Sequence, residues 1–508
     1  MKENLELAKM ACQIAGRAGA EQAQANVRAS RNVRVELERG AIKSSDIGWN
    51  HHVSVTAYYG GGRGSASCNV LDKEAVRRTA EQAAELAQAS DGDPDFVSLP
   101  EPAEYEEVEG LYDAAIAEMR AEETVELALQ GVQEALNVAG DAVVGGGAGV
   151  GFGWHAIANS LGVQAFAQGT HIGLSIFCIV KQGEEVGSYF EFDEASRLSD
   201  FAPQGVGRKA AKEALRFLGA QKVETGIYTL VLGPLGADFL PWAIAQAAGG
   251  REIERKRSFL VGKKGAQIAS EQVTLAEDPF VAGGLRSSPF DWEGTPRRAR
   301  AIVDKGVLLT YLHDSYSANK MKEPNTGHAG GPSNLNLVPG DKTAAEIISE
   351  VEEGIYVNMG GLSPDTTSGE ISGSVDFGFK IEAGKLAHPI KNTMVGVNFL
   401  DLLRGIDAVS SDYRQEPGQV MPTIRVRDVM VAGSKSPAVW RAGFRPESAA
   451  LLSVPFRRPA GKWRPAPQRT KECTRAPEWS PMPQRDAQRP SEAATLQCSL
   501  QPHPGRRE

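Results

Sequence analysis

The chain has 508 residues, 41% hydrophobic and 23% charged, a composition too apolar for a wholly disordered protein. At roughly 100–200 residues per domain that length allows two to four domains. A net charge of −9, from 55 basic and 64 acidic residues, argues against a dedicated nucleic-acid binder.

Residues 3–17 place Leu5, Ala8, Met10, Ala11 and Ile14 at helical spacing. The start is charged within its first turn and has no signal-peptide core. Val33–Leu37 and Val53–Tyr58 alternate like half-buried strands, and Gly60–Gly64 supplies a turn before extended structure resumes. Asp72 is a good N-cap for a helix reaching Ala89. Further on, Ala156–Gln164, Gly173–Ile179 and Gly187–Phe192 read as strands, followed by a helix over Val206–Leu218. The repeated order of three strands and a helix points to two related modules. The glycine run Gly145–Gly151 is read as a flexible or tightly turned linker, because no helix follows it to make a phosphate loop. Ile172–Val180, the longest clean apolar stretch, is about half a bilayer span, so a soluble cytoplasmic protein is expected.

From Gly226 the pattern turns β-rich. Ile227–Leu232 is a strand, and a short helix follows with Asp238 as N-cap, Pro241 in its first turn and Gly249–Gly250 as its stop. Hairpins join Ala299–Val303 to Val307–Leu312 and Val375–Ile381 to Leu386–Ile390. Strands at Thr423–Val426 and Val429–Val431 close the folded part. The fold class is α+β, with a strand–helix module at 1–100, a central α+β module at 101–222 and a β-rich domain at 223–434. Residues 435–508 hold 12 of the 28 prolines and 14 basic residues against 6 acidic ones. This tail should not fold on its own. It is either a basic arm for an acidic partner or an extension with no selected role.

Chemistry-bearing motifs are mostly absent. No two of the eight histidines stand four or five apart, so no helical zinc-peptidase motif exists. There is no G-x-S-x-G elbow. Cys12, Cys68 and Cys178 sit among apolar or small residues, as buried thiols do. His51 and His52 read as loop or edge residues at the start of a strand, and Glu252 and Glu254 as part of a solvated charge cluster.

Several segments nevertheless stand together: Gly249–Leu260, Gly283–Gly294, Asp314–Lys320, Thr326–Gly331 and Asn392–Leu403. In content and order they resemble the TldD/PmbA family, once called modulators of DNA gyrase, over roughly residues 5–434. In the TldD branch of that family a helix carries H-E-x-x-x-H and a later cysteine completes a metal site. Here Ile244, Ala245 and Gly249 stand at the His, Glu and His positions, and no cysteine lies between Cys178 and Cys473. The resemblance is therefore to the PmbA (TldE) branch, and it implies no zinc in this chain, a TldD-like partner that carries it, and small unstructured peptides as substrate, as in peptide-antibiotic maturation. Asp291, Glu293, His328 and Asn334 are candidates to line the substrate path, although turn or hairpin contacts are the plainer role for each. Two alternatives remain open. One is a stand-alone peptidase using His313, His328 or His388; the other is a non-enzymatic regulatory protein.

Overall fold

The computed structural model describes residues 2–416 and 418–433; the expectations for the tail, with Cys473 and Cys498, lie outside the described residues. The N-terminal half is a helix, three strands and a helix, built twice. The first copy comprises α1 (Lys2–Arg17), β1 (Gln22–Glu38), β2 (Ala41–Tyr59), β3 (Gly62–Cys68) and α2 (Lys73–Gln88). After α3 (Ala114–Glu118), the second comprises α4 (Ala121–Leu136), β4 (Val143–Asn159), β5 (Gln164–Gln182), β6 (Glu185–Ala195) and α5 (Val206–Arg216). β1 and β4 pair antiparallel in the middle, giving one six-stranded sheet in the order β3-β2-β1-β4-β5-β6.

Alternation sets the layers. Ala25, Val27, Val53 and Val55 share a core with α1 and α2, and Val35, Val144, Leu174 and Ile176 share one with α4 and α5. Asp72 caps α2 by accepting from the Glu74 and Ala75 amides. Both copies bring the third strand hard against the following helix. A Cβ on Gly64 or on Gly187 would stand 2.1 Å from the carbonyl oxygen of Ala83 or Ala214.

The glycine run is not a linker. Gly145–Gly151 forms the first half of β4, where Val144, Ala148 and Val150 turn to the buried side. A Cβ on Gly147 would lie 2.2 Å from the Val35 carbonyl oxygen, so the small residues permit the approach of β1 while hiding the alternation from a sequence reading. The strand expected over Ala156–Gln164 is divided by a turn after Asn159. His51 and His52 lie inside β2, paired with Ala29 and Arg28, rather than at its start. Cys12 and Cys178 are buried, but Cys68 at the end of β3 is partly exposed.

The C-terminal half runs β7 (Gly226–Leu232), α6 (Pro234–Ala237), α7 (Phe239–Ala247), α8 (Gly250–Glu254), β8 (Leu275–Asp278), β9 (Arg300–Asp304), β10 (Val307–Leu308), α9 (Ser315–Met321) and β11 (Asn334–Leu337). It continues with α10 (Ala344–Ser349), β12 (Glu353–Gly360), β13 (Glu370–Glu382), β14 (Lys385–Pro389), β15 (Thr393–Asn398), α11 (Phe399–Arg404), β16 (Ile406–Glu416) and β17 (Gln419–Ala432). Strands β7, β12, β13, β15 and β17 pair in a closed ring, because β17 returns to pair with β7. One apolar core joins this ring to α7 and α11 through Leu230, Ile355 and Val426 with Leu240, Ile244 and Phe399.

Two local expectations need correction. Asp238 has helical dihedrals at the α6–α7 junction and makes no capping bond, since the helical run already begins at Pro234. The second hairpin arm ends at Leu308, because Leu312 leaves it to bond with the α7–α8 corner. Among the described residues no helix is long and apolar enough to cross a membrane.

Candidate functional site

The α7–α8 corner is made by Leu312. Its amide donates to the Ala248 carbonyl (2.9 Å) and its carbonyl accepts from the Gly250 amide (2.7 Å), so the chain breaks at Gly249 and restarts as α8. Gly250 must be small there. A Cβ would come within 2.4 Å of the His313 Nδ1. Beside this corner lies a cavity of about 400 Å³, walled by Trp242, Ala245 and Gly249 on one side and by Arg251, Asp314 and His328 on others.

The three positions compared with a metal motif are thereby placed. Ile244 is buried in the apolar core, while Ala245 and Gly249 line the cavity with a methyl group and a bare backbone. None carries a ligating atom, so the residues present at these positions do not fit a metal ion. Among the described residues no three His, Cys, Asp or Glu side chains stand together as a metal site. His313 is fully buried, with Nδ1 3.1 Å from the Ser317 Oγ and Nε2 3.5 Å from Glu323; His388 lies on β14.

Of the four path candidates, His328 alone lines the cavity. It is held from behind: Nε2 lies 2.7 Å from Glu277 Oε2 and Nδ1 2.9 Å from the Thr326 hydroxyl. Glu277 projects from β8, is 2% exposed, and also accepts from the Ser333 amide (2.7 Å) and hydroxyl (2.9 Å). Burial alone would raise its pKa, but His328 and Ser333 outweigh burial and bring it to about 2. Sequence reading missed Glu277. A charge at a buried position of an alternating strand is a usable signal, but β8 has only four residues in which to display it.

Asp291 and Glu293 lie in the loop before β9. Asp291 is fully buried and accepts from the amides of Glu293, Thr295 and Ala329, each at 2.9 Å, which ties this loop to the one carrying His328. Half-buried Glu293 accepts from the Ser315 amide at the start of α9 (2.9 Å). Burial, then the nearby Asp291, pushes its carboxyl up to about 7. Asn334, on β11, donates to the Asp278 carbonyl and the Ser287 hydroxyl, both at 2.7 Å, and so anchors the 284–288 loop.

Arg251, next to the Glu252 and Glu254 of the expected solvated cluster, bonds Asp314 at 2.6 Å and stacks 4.0 Å above the Tyr316 ring. Burial would raise the Asp314 carboxyl, yet bonds from Ser317 and Arg251 leave it below the usual range. Glu254 is likewise not solvated: its side chain is 6% exposed and lies 3.1 Å from Lys320. The cavity thus offers a fixed ion pair, a positioned imidazole and an apolar floor, a set suited to gripping a polar backbone.

Three family models match the chain in order. PmbA/TldA metallopeptidase domain 1 covers residues 23–87, the central domain 115–218 and the C-terminal domain 225–433. Metalloprotease PmbA of Escherichia coli O157:H7 is 26% identical over 417 residues, spanning 81% of this chain and 92% of that one. A crystal structure from Bacteroides thetaiotaomicron, described as a modulator of DNA gyrase, superposes with a TM-score of 0.79 at 29% identity, covering 85% of this chain and 100% of its own. TldE from Thermococcus kodakarensis shares the fold, with a TM-score of 0.77 at 24% identity over 84% of this chain and all of that one.

Proposed function

Because the chain belongs to the PmbA/TldD metallopeptidase family, we propose that it is the PmbA/TldE-like member of a two-chain cytoplasmic metallopeptidase. In this reading a TldD-like partner carries zinc, and this chain shapes the chamber and holds a small unstructured peptide. The observation that carries the reading is the α7 wall, where Ala245 and Gly249 face the cavity without a donor atom and Ile244 is turned into the core. Three groups that a zinc site requires are replaced together, so no single substitution would restore it. What the chain retains is a binding surface. Arg251, Asp314 and His328 can hydrogen-bond a peptide backbone, an interaction with little dependence on side-chain sequence.

The test is reconstitution. Purified without chelators, the isolated chain is expected to hold no stoichiometric transition metal and to leave an unstructured peptide uncut. Mixed with a TldD-like chain it should form a stable complex that cleaves the peptide and is stopped by a chelator. One metal per isolated chain, with chelator-sensitive cleavage, would overturn the proposal.

A further inference from the structure

A second cavity, of about 530 Å³, lies on the face of the six-stranded sheet turned away from the helices, between β1, β2, β4, β5 and the 284–288 loop. Among the described residues Arg28 is the only lysine or arginine lining it, and no aspartate or glutamate does. Half-buried Arg28 rests its guanidinium 4.2 Å over the Trp292 ring and makes no ion pair with any described residue. Burial lowers its pKa and no carboxylate acts to raise it. Three other arginines drawn toward the interior are paired, Arg251 with Asp314, Arg414 with Glu191 and Arg425 with Asp407, and half-buried Arg31 at least donates to the Ala117 and Met119 carbonyls. A half-buried cation without a counter-ion is costly unless an anion arrives from outside.

Two of the surrounding side chains are free to donate, whereas the Thr170, Ser196, Ser287 and Ser288 hydroxyls are spent on backbone carbonyls. Ser30 accepts from Asn32 and keeps its own hydroxyl proton, and the Asn50 side chain has no hydrogen-bond partner among the described residues. Beside Arg28, the His155 ring is held neutral, since burial and then the guanidinium bring its pKa to about 3. Gly153 and Gly169 leave part of the floor free of side chains, so an extended backbone can lie on the sheet. Leu285 lines both this cavity and a cleft that reaches Trp242, and Trp242 in turn lines the α7 cavity.

We infer that this pocket binds the terminal carboxylate of an extended peptide, with Arg28 as its counter-ion. The inference rests on the peptide-holding role proposed above and adds to it a preference for a free C-terminus. The experiment compares binding of one unstructured peptide, as the acid and as the C-terminal amide, to the full chain by calorimetry. A charge-assisted bond predicts that the acid binds roughly 10–100-fold tighter. Arg28→Gln, shown folded by circular dichroism, should bring the acid to the level of the amide, and Arg28→Lys should keep part of the preference. Equal binding of acid and amide to the unaltered chain overturns the inference. So does equally tight binding of an amidated peptide carrying one internal glutamate. If neither form binds, the peptide-holding role itself has failed, and acetate decides the pocket by tryptophan fluorescence: a change lost in Arg28→Gln upholds an anion site, and no change overturns it.

Discussion

Glu277 and Glu293 show how two carboxylates withdrawn from solvent are shifted in opposite directions. Glu277 is the more deeply buried, yet His328 and Ser333 stabilise its charge and hold its pKa near 2. Glu293 receives one amide bond from Ser315 and faces Asp291, so burial prevails and its pKa is about 7. The folded state therefore keeps a proton on Glu293 where the unfolded chain, near its ordinary 4.5, has lost it. That contribution is full below pH 4.5 and is lost as pH rises through 7, amounting to about 3 kcal/mol. Glu293→Gln removes the charge and keeps an oxygen for Ser315. Its melting temperature should exceed that of the parent at pH 8 and match it at pH 5. Equal melting at both values would show that solvent, not burial, governs this carboxyl.

At the level of elements, the duplicated unit carries the same close approach twice. In each copy the third residue of the third strand, Gly64 or Gly187, faces a helix carbonyl at a distance no Cβ can share. The obstacle is backbone, which cannot rotate aside as a side chain would. Gly64→Ala and Gly187→Ala should each destabilise the fold by about 1–3 kcal/mol, read from chemical denaturation. Unchanged midpoints in both would mean that strand and helix separate at little cost. The same logic shapes the α7–α8 corner, where Gly250 lets α8 approach His313 and Ser317 and so places Arg251 beside Asp314.

For the molecule as a whole, the β17–β7 pairing matters most. It closes the ring and is complete by Ala432, with Val431 opposite Gly226. A chain ending after Ser434 is therefore expected to melt at the temperature of the full chain and to bind the same partner. A marked drop would assign residues 435–508 a part in the fold. The ring also supports the site, because its core extends through Leu240 and Ile244 into α7 and fixes the wall on which Ala245 and Gly249 sit.

How much could be read without coordinates follows from how local each feature is. Asp72 and its helix were readable because a cap and a 3.6-residue stripe act within a few turns. The α+β class and the doubled strand–helix order follow from alternation and turns, which are also local. The glycine strand β4 was misread because its conformation is imposed by β1 and β5, and Asp238 because α6 precedes it. That Ile244, Ala245 and Gly249 carry no ligating side-chain atom is a property of the sequence alone. That Ala245 and Gly249 share a cavity with Arg251 and His328 is not. Nor is the support of His328 by Glu277, or the isolation of Arg28 from every described carboxylate. Burial and charge pairing depend on which distant segments meet, and the tertiary structure alone decides that.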